Sequence, residues 1–340
     1  MTTPRRTLAV FAGALALAFA AAADAKTTLK FAIGAADGPG GEIMGMKALK
    51  EYVEFKTKGE VEIRLFFNTR GGSLQVTEAV KNGTLEMALT DDSVLGSFHK
   101  PMQAFQIPYL FPSSPVAWEF MKSAFVKEMT DDMRKATGIR TLVLSENGFR
   151  NLTNNVRELK TPDDMKGLKM RTMQSQVYVN FMRSLGAAAT PIAWPETIPA
   201  LKQNVVDGQE NASATIWDGK IYEVQKFMSV NEHIYGLHLI IINDLVFEKL
   251  SPDEKQIMVD GARMHAEVAN SKKAIDSLQA IDKIRAAGVK VYVNSPTEKE
   301  AFRKQSQEAV REYIASQTGP EVVNKLMIAV EESKKRVYSY

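Results

Sequence analysis

Ser251-Pro252-Asp253-Glu254 opens the stretch whose reading decides the fold. Serine with glutamate three positions later lets hydroxyl and carboxylate each satisfy an orphan backbone N–H of a helix start. Proline suits the first helical position, where its missing N–H costs nothing. The pattern then stays helical to Ala287 with no internal proline, and Gly288 ends it. About 36 residues at 1.5 Å each make a helix of about 54 Å. One small domain is not that wide, so the helix is expected to cross from one lobe to another. The alternative is a helix broken near Asn270-Ser271.

Outward from that helix the chain alternates strands and helices. Residues 28–33 and 61–67 alternate as strands, and 85–89 is a third. Helices are expected at 42–56 and 74–81 between them, which argues for a parallel α/β layer. A packed connection at 101–115, a helix at 116–137 and a strand at 140–144 follow. The second half repeats the alternation, with strands at 168–171, 188–192 and 206–209 and helices at 176–185 and 195–204. A late strand at 290–293 and terminal helices at 296–317 and 320–337 complete the chain.

The chain has 340 residues, 45% hydrophobic and 24% charged, which fits two globular domains with sizeable cores. Arg5 and Arg6, the apolar run 8–23 and Ala23-Asp24-Ala25 read as a cleaved secretory signal peptide over residues 1–25. Its removal changes the net charge only from +3 to +2, because Arg5, Arg6 and Asp24 leave with it. No basic block of the kind that drives nucleic-acid or anionic-membrane binding is present. Without cysteine, no disulfide framework or thiolate metal site is expected.

Two arginines, a tryptophan and an amide sit at the ends of short apolar runs between Asn147 and Asn211. Arg171 ends the 168–171 strand, and in open α/β sheets ligands bind beyond strand carboxyl ends. Its planar fork matches a carboxylate with two parallel hydrogen bonds; an exposed arginine paired with a nearby acid is the plainer alternative. Arg150 is placed for the second carboxylate oxygen or a hydroxyl, or for tying two domains together. The Asn211 amide both donates and accepts, or forms a turn. Trp194 suits an apolar wall or the core, and Trp217 and Tyr178 are weaker candidates of the same kind. Asp91 and Asp92 end a first-half strand and could accept ligand hydroxyls, or cap the next segment. No Gly-x-Ser-x-Gly, Walker loop or His-Glu-x-x-His is present, and Gly38-Pro39-Gly40-Gly41 does not fit a dinucleotide fingerprint. The four histidines are scattered, so no metal and no cofactor are expected.

Several runs together carry a family resemblance. They are Gly148-Phe149-Arg150-Asn151-Leu152-Thr153-Asn154, Asp163-Asp164-Met165-Lys166-Gly167-Leu168-Lys169-Met170-Arg171, Pro191-Ile192-Ala193-Trp194-Pro195-Glu196, Val206-Asp207-Gly208-Gln209-Glu210-Asn211 and Tyr222-Glu223-Val224-Gln225-Lys226-Phe227. In order and spacing the chain resembles the solute-binding proteins of tripartite ATP-independent periplasmic (TRAP) transporters, the DctP family. The resemblance implies an α/β, two-lobed periplasmic binding protein of type II-like form, with a ligand cleft between lobes and a long helix spanning both. It implies that Arg171 holds a ligand carboxylate, that Arg150 and Asn211 make further polar contacts, and that Trp194 is the pocket aromatic. It also implies a membrane permease of a small and a large subunit, driven by an ion gradient. Ala212 stands where many members have proline, and Gly71 where leucine is common.

The expectation is therefore an exported, periplasmic binding protein for a small organic acid, monomeric and not an enzyme. Its ligand-binding residues would be Arg171, Arg150, Asn211, Trp194, Asp91 and Trp217. Lobe I would comprise residues 26–147 and 237–270, and lobe II residues 148–236 and 271–305, with residues 306–340 as C-terminal helices on the lobes. An exported enzyme acting on a carboxylic acid would need a base such as Asp91, Asp92 or Glu210. A sensor module would use the same cleft with a receptor as partner.

Overall fold

The structure is a computed structural model and describes residues 26–339; the expected signal peptide lies outside the described residues. Strand β1 (Thr27–Ile33), helix α1 (Gly41–Lys56), strand β2 (Val61–Phe67), helix α2 (Ser73–Lys81) and strand β3 (Met87–Asp91) form the expected parallel layer, with β1 in its centre. The short helix α3 (Asp92–Leu95) and a 3-10 turn at Lys100–Gln106 follow. Residues 116–137 do not form one helix. They divide into α4 (Ser114–Phe120) and α5 (Ala124–Thr137), because Ser123 turns extended and caps the second helix by accepting from the Val126 N–H.

Strand β4 (Ile139–Asn154) is three times longer than the 140–144 strand read from sequence. Beyond it lie β5 (Lys169–Thr172), α6 (Gln176–Ser184), β6 (Ala188–Pro191), α7 (Trp194–Lys202), β7 (Gly208–Ala212) and α8 (Ser213–Asp218). Strand β7 sits two to three residues later than the 206–209 reading, which puts Asn211 inside it rather than beyond it. The chain then returns in β8 (Phe227–Asn243), a 17-residue strand that the sequence reading passed over. Helix α9 (Asp244–Glu248) leads into α10 (Pro252–Ala286), followed by β9 (Lys290–Val293), α11 (Pro296–Thr318) and α12 (Pro320–Tyr338).

One sheet runs through the molecule in the order β2-β1-β3-β8-β4-β7-β5-β6, with β9 on β8. Its two middle strands are antiparallel and belong to both ends. Residues 238–242 of β8 pair with β3, while residues 227–230 pair with β9. Residues 150–154 of β4 pair with β7. Between the two ends the β4–β8 register shifts at Thr141/Val143, Glu146/Gly148 and Arg150/Leu152. Such bulges bend a strand and increase its twist.

Helix α10 has 35 residues and is unbroken at Asn270-Ser271, where the Asn270 side chain accepts the Glu146 N–H. Its cap is the expected one, with Ser251 and Glu254 bonding each other's backbone. Met258 and Ala262 belong to a core with Phe31, Ile43, Leu49 and Ile240, whereas Ala280 and Ile284 belong to another with Leu201, Ile216 and Met228. The helix thus seals both ends of the sheet. It crosses α1 so closely that a Cβ on Gly45 would stand 2.6 Å from His265 Nδ1 and 2.8 Å from the His265 carbonyl oxygen. A backbone oxygen cannot rotate away. Gly45→Val is therefore expected to destabilise the protein by about 1–3 kcal/mol, read as a lower urea midpoint. An unchanged midpoint would show that the crossing is loose.

Candidate functional site

The cleft between the two ends of the sheet holds a pocket. Strand ends line it. From one side come Gly34 after β1, Asp91 at the end of β3 and Glu42 on α1. From the other come Arg171 of β5, Ile192 to Trp194 after β6, and Asn211 of β7. Asn147, Arg150 and His238 reach it from the crossing strands. Of the residues singled out in the sequence, Arg171, Arg150, Asn211, Trp194 and Asp91 are brought together here.

Trp217 is not among them. It stacks on Tyr222 with ring centroids 4.5 Å apart, against the core under α8. Thr215, two residues earlier on that helix, faces the cavity. Positions i and i+2 of a helix point in different directions, so the tryptophan is turned away. Tyr178 is buried and lies 5.6 Å from the Arg150 guanidinium carbon rather than on the cavity lining. Asp92 is also buried; its Oδ1 accepts the Leu237 N–H.

The two arginines differ in kind. Arg150 is fully buried and bound by Glu210 of β7: its Nε lies 2.5 Å from Oε2, and its Nη2 is 2.9 Å from Oε1 and 3.0 Å from the Glu210 carbonyl oxygen. Burial opposes the Arg150 charge, but the Glu210 carboxylate outweighs it and holds the arginine's pKa above its ordinary value. The glutamate is likewise held below the usual range: burial works to raise it, and Arg150 and His233 prevail. His233 Nε2 lies 3.3 Å from Oε2, and the Phe181 ring stacks on the imidazole. Breaking such a buried pair costs about 3–5 kcal/mol.

Arg171 is 1% exposed and has no carboxylate within ion-pair distance among the described residues. Its Nε donates to the Ile192 carbonyl oxygen at 2.9 Å, which fixes the plane of the guanidinium. Nη1 has no partner among the described residues. Burial first, together with the Arg150 charge, pushes its pKa down to about 10, against the opposing pull of the Glu210 and Asp91 charges. The Trp194 ring centre lies 5.9 Å from its guanidinium carbon. Arg150, which also lines the cavity, keeps one nitrogen, Nη1, without a hydrogen-bond partner among the described residues.

Asp91 accepts a hydrogen bond from the Ser73 hydroxyl, and its Oδ1 is 3.4 Å from Asn147 Nδ2 and 3.3 Å from His238 Nε2. Burial works to raise its pKa, but the His238 and Ser73 contacts lower it to about 2. Glu42 forms an ion pair with buried Lys273 of α10, 2.7 Å apart, and Lys273 also donates to the Thr215 hydroxyl. Glu42, Asn147, Thr215 and His238 were missed as lining residues. His238 lies on β8, the strand not read from sequence, and the others carry no motif. Among the described residues no group of three or more histidine or acidic side chains is arranged to hold a metal ion, and no helix is long and apolar enough to cross a membrane.

Residues 41–317 match the family model described as bacterial extracellular solute-binding protein, family 7, or DctP. The chain is 30% identical over 292 residues to the 2,3-diketo-L-gulonate-binding periplasmic protein YiaO of Escherichia coli, covering 85% of this chain and 87% of that one. It is 28% identical to the sialic acid-binding periplasmic protein SiaP of Vibrio cholerae, covering 92% and 96%. Its fold is similar to that of the sugar acid binding protein DctPAm of Advenella mimigardefordensis in complex with galactonate, with a TM-score of 0.86 at 28% identity, covering 90% and 98%.

Asp92 gives the site a pH signature. Burial first, and the Asp91 charge beside it, raise its carboxyl to about 7, against about 4 in an unfolded chain. Between those values the folded state holds more protons, so this group makes stability fall as pH rises. Asp91 runs oppositely: lowered to about 2, its contribution is present above about 4 and lost as pH falls towards 2. Urea midpoints measured from pH 4 to 8 are expected to decline less in Asp92→Asn than in the parent. Parallel profiles would remove Asp92 as the source.

Proposed function

Because this chain belongs to family 7 of the bacterial extracellular solute-binding proteins, we propose that it captures a small organic acid by pairing the ligand carboxylate with Arg171. The observation that carries this reading is a buried guanidinium without a counter-ion, its Nη1 free beside a cavity. A buried unpaired charge is costly, and a carboxylate presenting two oxygens removes that cost with two parallel bonds. Arg150 Nη1 and Asn211 supply further polar contacts, and Trp194 closes one side as an apolar wall. In this reading residues 26–147 and 237–270 form one lobe and 148–236 and 271–305 the other. The ligand favours the closed arrangement because only there does it touch both.

Delivery follows from the same family placement. The loaded protein docks on a membrane permease of a small and a large subunit, which an ion gradient drives. The protein works as a monomer in the periplasm after its signal peptide is removed. Two features support capture over catalysis. Glu210 has both carboxylate oxygens committed to Arg150, and Asp91 is held ionised with a pKa of about 2, which makes it a weak base.

A thermal-shift screen of carboxylates finds the ligand, since saturation at 100 times the dissociation constant adds about 2.7 kcal/mol of stability. Truncating one partner of a buried charged pair costs about 2–5 kcal/mol. Arg171→Ala is therefore expected to weaken binding by about 30-fold or more in isothermal titration. Arg171→Lys should also bind much more weakly, because a point charge cannot form the fork. Affinity retained in the alanine variant would defeat the assignment.

A further inference from the structure

The charges around the cavity leave one cation and one anion without an ionic partner of matching strength. Arg150 is matched by Glu210, and Lys273 by Glu42. Arg171 has no carboxylate partner, and Asp91 on the other wall has no lysine or arginine within ion-pair distance among the described residues, only His238. Asp91 and Glu42 are both held ionised, Asp91 by His238 and Ser73 and Glu42 by Lys273, in each case against burial. An ionised carboxylate only accepts hydrogen bonds. The wall facing Arg171 therefore carries two acceptor-only groups of negative charge, and both line the cavity.

Resting on the reading of Arg171 as the carboxylate anchor, we propose that the site takes a monocarboxylate bearing hydroxyl groups and rejects dicarboxylates of the same length, with Asp91 and Glu42 as the discriminating residues. A second carboxylate at the far end of the ligand brings only acceptors and a negative charge to these two acids. A hydroxyl there donates to the acid and accepts from a neighbour. On the same lining Asn147 has a second Nδ2 hydrogen to give, and the Ser93 hydroxyl, held only by the Met173 sulfur, can turn to donate. An ammonium group suits the wall less well. Ser73, Asn147 and His238 already occupy three of the roughly four acceptor positions of Asp91, and Lys273 holds Glu42, so the three donors of an ammonium cannot all be met.

The test uses two sets of ligands matched in chain length. One contains erythronate, tartrate, butyrate and 4-aminobutyrate; the other contains gluconate, glucarate, hexanoate and 6-aminohexanoate. Titration calorimetry on the mature protein is expected to rank the polyhydroxy monocarboxylate first in at least one set, with its dicarboxylate partner weaker by about 100-fold. Asp91→Asn keeps the shape and removes the charge. It is expected to narrow the gap between the two by tenfold or more, and Glu42→Gln to narrow it less. A dicarboxylate, a hydroxyl-free acid or an amino acid analogue that binds best, and does so only when Arg171 is present, overturns this inference and leaves the carboxylate anchor standing. Binding that survives Arg171→Ala, or no binding by any acid, overturns both. A gap unchanged in folded Asp91→Asn and Glu42→Gln removes these residues as its cause.

Discussion

Of two buried arginines in the cleft only one is bonded to a glutamate, and that unequal pairing organises the site. Glu210 gives both carboxylate oxygens and its carbonyl to Arg150. It makes no hydrogen bond to Arg171, whose guanidinium feels its charge but is steered by the Ile192 carbonyl oxygen. A buried charge without a partner is tolerated in a native structure only where something else compensates it or is meant to. The Arg150–Glu210 pair is structural, stitching β4 to β7 in the middle of the sheet. The same commitment leaves its neighbour available for chemistry.

That arrangement depends on strands that do not stop at the cleft. Arg150 sits where β4, still paired with β8 on one side, begins its pairing with β7 on the other, next to a register shift. The bulge re-aims side chains at this point. A strand ending at Leu144, as the local pattern suggests, would have left Arg150 in a loop and its guanidinium free to find solvent. Burial of the pair needs the ladder on both sides of it, together with the Phe181 and His233 rings stacked behind Glu210.

The sequence exposed the long helix and the parallel layers because caps, glycine stops and alternation are local signals. Ser251 and Glu254 cap α10 as expected, and β1, β2, β5, β6 and β9 fall within a residue or two of their expected places. Strand β8 was invisible for a physical reason. Nearly all of its 17 residues are buried, so both faces are apolar or satisfied and no alternation marks it. The polar run in β4 read as a loop because its amides and hydroxyls are bonded inside the molecule, Asn151 to Ser213 and Thr153 to Gln225. Arg171, Arg150, Trp194, Asn211 and Asp91 could be found because they stand at strand ends or in recurring runs. Glu42 and His238 could not, since their place at the cavity is decided by which distant elements lie across from them. Trp217 was misplaced because aromatic character says nothing about which way a helix is turned.

Three continuous elements, β4, β8 and α10, pass from one end of the molecule to the other, and none is interrupted by a loop at the cleft. Relative movement of the ends must therefore bend these elements, as leaf springs bend, instead of turning about a slack joint. Elastic flexure has a rest shape and a restoring force, so any change in the width of the cleft works against the stiffness of these same three elements.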